Sequence, residues 1–159
     1  MSYIDNPGDF PFTEDSKEKL KKLNPDLAEV LIEAKKITDL NFQIVEGKRS
    51  AATQEKMWYK GEAAEDAMSA HRIGHAVKLF IYLDNQPCFN WNIYAELASC
   101  IRYAAQNINV GVSWSTLTTD LRFAKDDNLI ELVDRAIKSA NHAEATFMFI
   151  PNHFELVLE

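Results

Sequence analysis

The chain has 159 residues and a mass of 18.1 kDa, a length that suits one domain. Hydrophobic residues supply 47% of it and charged residues 26%, enough apolar material for a packed core and too much for intrinsic disorder. The balance of 17 Lys and Arg against 24 Asp and Glu leaves a net charge of −7, and no basic stripe follows the segment 17–22, so nucleic acid and anionic membranes are poor partners.

Two cysteines, Cys88 and Cys100, cannot build a disulfide framework and do not form a Cys-x-x-Cys pair. Cys100 falls on an apolar helical stripe and reads as a small core residue. The first twelve residues lack the basic start and apolar run of a signal peptide, and no apolar run approaches the ~20 residues of a membrane span. The expectation is cytosolic synthesis without a signal peptide, with any action elsewhere depending on carriage or release by something else.

Residues 1–12 read as an N-terminal arm broken by Pro7, Gly8 and Pro11, and 13–159 as the domain proper. A short polar helix starts near Thr13 and runs to Leu23. Asn24-Pro25 then restarts the chain, with Asn24 as N-cap and Pro25 at the first helical position. Leu27, Val30, Leu31, Ala34 and Ile37 follow at helical spacing. Phe42–Glu46 predicts a strand ended by Gly47, and residues 51–60 a helix stopped at Gly61. His75–Leu83, HAVKLFIYL, is the strongest strand signal. Trp91, Tyr94, Leu97, Ala98, Ile101, Ala105 and Ile108 mark a long amphipathic helix. Residues 110–114 are a strand candidate, and Asp126 or Asp127 caps a helix carrying Leu129, Val133, Ile137 and Ala140. Residues 146–150 and 153–158 give two terminal strands separated by Pro151-Asn152. Helices early and strands late predict an α+β fold, a small antiparallel sheet flanked by helices.

Four histidines are present: His71, His75, His142 and His153. A single histidine is most often structural, but the letters around His71 carry more. Ser69-Ala70-His71-Arg72-Ile73-Gly74-His75-Ala76-Val77-Lys78 resembles the signature Ser-x-His-x-x-Gly-x-Ala-x-Asp in all but its last position. That signature belongs to the zinc D-Ala-D-Ala carboxypeptidases and the phage L-alanyl-D-glutamate endolysins. The resemblance extends upstream through Leu23–Leu27 and Phe42–Ser50 and resumes at His153-Phe154-Glu155-Leu156, in the family's order.

The resemblance implies a D-Ala-D-Ala carboxypeptidase-like fold and a metal held by the positions of His71, Lys78 and His153, with Ile150 at the place of the general base. Arg49 keeps the position that polarises the substrate carbonyl. Ser69 and Trp114 are candidate substrate contacts, and Trp58, Tyr59 and Trp114 candidate exposed aromatics. A catalytic zinc needs three ligands and an open water position, and here the carboxylate ligand has become Lys78. At ~4 Å and an effective dielectric of ~20, each unit-charge interaction is on the order of 4 kcal/mol, so an ammonium beside a dication repels it. Deprotonating the lysine at pH 7 costs roughly 4–5 kcal/mol. Ile150 accepts no proton, and loss of general acid–base help costs ~10²–10⁴ in rate.

Taken alone, Lys78 alternates with Val77 and Leu79 and could simply extend to solvent along its aliphatic stem. With the resemblance, its ammonium is expected at the vacated metal position near His71 and His153. The expected function is that of an inactive homologue with a structural or partner-binding role. It needs no cofactor, and its expected partner is a protein, phage structural proteins being candidates, in a virion or a lysis system that releases it, with peptidoglycan the partner if the chain is instead a wall-peptide binder that has dropped hydrolysis. The alternative is an active zinc peptidase that cleaves peptidoglycan peptides with an altered ligand set. Glu155, two residues after His153 and so on the same strand face, is the nearest replacement carboxylate. A His71–His75 metal pair would require a helix there, against which Gly74 and the strand pattern speak.

Overall fold

The computed structural model describes residues 10–48, 74–114, 120–123, 129, 131, 134 and 151–157. Helix α1 (Glu14–Lys22) begins where the Thr13 side chain accepts the Ser16 N–H, with Glu14 and Asp15 in its first turn and Lys19, Lys21 and Lys22 in its last, an order that suits the helix dipole. Only Ser16 and Leu20 of α1 are buried. Helix α2 (Pro25–Ile37) starts as the sequence predicts, with the Asn24 side chain accepting the Asp26 N–H and Pro25 in the first turn, and it buries Leu27, Val30, Leu31 and Ala34.

Strand β1 (Asn41–Glu46) pairs antiparallel with β2 (Ala76–Leu83). A two-residue turn, Asp84-Asn85, leads from β2 into β3 (Gln86–Cys88). Both turn residues have positive φ, 51° and 65°, the type I′ geometry that suits the twist of a hairpin. Sequence reading missed this strand, because the usual glycine of such turns is absent and Pro87 argues against a strand. An edge strand tolerates the proline.

Helix α3 (Trp91–Ile108) is capped by Asn90 and ends at Asn109, which is left-handed at φ 57°. It buries Tyr94, Leu97, Ala98, Ile101 and Ala105, and the Ile81 N–H of β2 donates to the Tyr94 hydroxyl at 3.0 Å. Strand β4 (Val112–Trp114) is shorter than the 110–114 expected, since the left-handed turn at Asn109 delays it. Strand β5 (His153–Leu156) enters between β2 and β4, pairing antiparallel with both, to give the order β1-β2-β5-β4 with β3 beside β2. The α+β expectation holds. The predicted helix over 51–60 and strand over 146–150 lie outside the described residues. Of the helix after Asp127, Leu129, Glu131 and Asp134 are helical and Leu129 is buried.

Alternation divides the sheet. Phe42, Ile44, Val77, Leu79, Ile81, Val112, Trp114, Phe154 and Leu156 join α2 and α3 in one buried core, while Lys78, Phe80, Tyr82, Ser113, His153 and Glu155, all half-buried, sit at the alternate positions. Gly74 fixes the entry to β2. Its φ is +78°, and a Cβ there would stand 3.0 Å from the Lys22 carbonyl oxygen. That close approach lets the Asn24 N–H donate to the Gly74 carbonyl at 2.9 Å.

Candidate functional site

The registers of three strands set one lateral row of polar residues. Lys78 of β2 lies directly opposite His153 of β5 and, on its other side, opposite Glu46 of β1. Directly opposed residues of an antiparallel pair share a face, with Cβ atoms roughly 4.5–5.5 Å apart. None of Glu46, Lys78 and His153 is without a partner.

Glu46 reaches this row only through an irregularity. Simple alternation would place it with Phe42 and Ile44 in the core. Between Ile44, opposite Leu79, and Glu46, opposite Lys78, the register shifts by one residue at Val45, and such a bulge turns the next side chain to the other face. Periodicity gives no sign of it, so sequence reading left Glu46 out of the site.

Across the row, the His153 Nε2 lies 3.2 Å from the Glu155 carboxylate. A carboxylate accepts, so the ring is the donor in this contact, through Nε2–H. The Ser113 hydroxyl of β4 donates to the Glu155 backbone carbonyl at 3.4 Å, which ties the outer strand to the same segment.

Of the residues singled out in the sequence, the structure places Lys78 directly opposite His153. Arg49, Ser69, His71 and Ile150 lie outside the described residues, as do Trp58 and Tyr59. His75 is turned elsewhere. Its Nε2 lies 3.3 Å from the Asn24 side-chain amide at the start of α2, and its buried Nδ1 has no hydrogen-bond partner among the described residues. Gly74 has a positive φ of 78° and so is not helical, and the His71 half of the His71–His75 pair lies outside the described residues.

Trp114 is a correction. Read as a candidate substrate contact and exposed aromatic, it is fully buried, stacked on Phe154 at 6.4 Å between ring centroids, with its indole N–H donating to the Pro151 carbonyl at 2.6 Å. Opposition to Phe154 puts it on the core face, away from His153. A three-residue strand is too short for its alternation to show this in sequence.

An α+β fold with a small antiparallel sheet packed against helices is similar to that of an endopeptidase of known structure. The chain matches the family model for the phage L-alanyl-D-glutamate peptidase over residues 9–144, and it belongs to that family. Among solved structures it is similar to the L-Ala D-Glu endopeptidase ChiX of Serratia marcescens, with 25% identity, a TM-score of 0.67, and coverage of 98% of this chain and 96% of that one. A comparison with curated proteins finds no match. Among the described residues no helix is long and apolar enough to cross a membrane.

Proposed function

We propose that this chain is a catalytically inactive member of its family, serving a structural or partner-binding role in a phage particle or lysis system. The observation that carries this reading is the pairing of Lys78 with His153. A lysine directly across from the histidine of the terminal strand stands where the family's metal site calls for an aspartate. The donor set does not fit a catalytic zinc, because an ammonium has no lone pair to give and its charge opposes the ion. Ile150 in place of the general base points the same way, since a hydrocarbon side chain moves no proton. The net charge of −7 suits a protein partner better than an anionic wall.

One observation favours a second reading, that of an active zinc peptidase with an altered ligand set. Glu155 offers a carboxylate beside His153, though it is already engaged with the imidazole. Incubation with purified peptidoglycan separates the two. The inactive reading expects no release of new amino termini above the buffer control, whereas release that a chelator abolishes would establish the second. Retention of the chain on intact sacculi without cleavage would assign it a wall-binding role instead of a protein-binding one.

A further inference from the structure

The outer edge of β1 is closed by side chains. In a strand, the N–H and C=O of one residue point to the same edge, and in β1 the outward pairs belong to Phe42 and Ile44. The Lys35 ammonium of α2 donates to the Phe42 carbonyl, and the Ile44 N–H donates to the Ser16 hydroxyl of α1 at 3.0 Å. A further antiparallel strand would need both groups of Phe42 and both groups of Ile44. One group of each pair is taken.

The closure is built from several elements. Ser16 donates to the Gln43 side-chain carbonyl at 2.8 Å, which also accepts the Thr13 N–H at 3.0 Å, while the Gln43 amide donates to the Pro11 carbonyl at 2.9 Å. Residues 11–13 are thereby strapped along the strand. Phe12 packs edge-on against Phe42 with centroids 5.4 Å apart, and the Lys35 Nζ lies over both rings, 4.7 Å from the Phe12 centroid and 4.4 Å from that of Phe42. Lys35 has no carboxylate partner among the described residues, so the carbonyl and the ring faces hold it.

We propose that Ser16 and Lys35, with Phe12 as their lid, form an edge lock that keeps β1 from pairing with β1 of a second copy of this chain. The occupant follows from the strand itself. NFQIVE carries β-branched and aromatic residues without glycine or proline, as edge-pairing segments do, and two copies meeting antiparallel form a closed two-fold contact.

The test is the double variant S16A/K35M, with its mass in solution followed over a concentration series and its fold checked by circular dichroism. A concentration-dependent dimer, heavier than the parent at equal concentration, is expected. A folded variant with the parent's mass throughout would overturn the proposal. Should the double variant unfold, S16A alone decides. Its Ile44 amide is expected to exchange with solvent about tenfold faster, the loss of one hydrogen bond, and to regain protection as concentration rises. Exchange that ignores concentration would overturn the lock.

Discussion

The two faces of the sheet are made from alternate residues of the same strands, yet they differ in kind. On one, Val77, Leu79, Ile81 and Phe154 are fully buried in a core shared with α2 and α3. On the other, Glu46, Lys78, His153 and Glu155 make a half-buried polar face. The difference teaches that fold and site are separable in this architecture. Lys78 stands between Val77 and Leu79, both fully buried, so a change of charge on the polar face leaves the core packing where it was.

The largest expected effect lies on the core face. Phe154→Ala should lower unfolding stability by roughly 3–5 kcal/mol in a denaturant titration, because it empties a site stacked on Trp114. A loss below about 1 kcal/mol would break the comparison at its stronger half. Gly74→Ala comes next, at about 1–3 kcal/mol, since it forces a Cβ onto positive φ and against the Lys22 carbonyl. Asn24→Ala should cost about 1 kcal/mol through loss of the α2 cap.

Lys35 sharpens the account through pH. Burial lowers its pKa from 10.5 to about 7, against the pull of the two ring faces and the Phe42 carbonyl. Between pH 7 and about 10 the unfolded chain holds a proton that the folded chain has released, so stability rises with pH across that window and is flat below it. Allowing for solvent screening of a partly exposed group, the rise is on the order of 1 kcal/mol. Lys35→Met should abolish it in parallel thermal melts at pH 7 and 9. The smallest stability change belongs to the polar face, where Lys78→Asp should stay within about 1 kcal/mol of the parent.

Local chemistry made much of the fold legible. Asn24-Pro25 marks a helix start because cap and proline act within one turn, and HAVKLFIYL marks a strand because its pattern matches a half-buried pleat. The hairpin at Asp84-Asn85 escaped because its left-handed turn uses no glycine. Two features of the site depend on pairing between distant strands, namely the bulge at Val45 that brings Glu46 to Lys78 and the opposition of Trp114 to Phe154. No reading of neighbouring letters contains either. The Lys78–His153 opposition joins positions 75 apart in the chain, which no local pattern connects.

The most direct test is a zinc titration by calorimetry of the unaltered chain beside the double variant K78D/I150D. The account predicts no specific binding by the former and a gain of at least about 100-fold in affinity by the latter, as one repulsive charge becomes an attractive one. One tightly held zinc per unaltered chain, lost on His153→Ala, would contradict it.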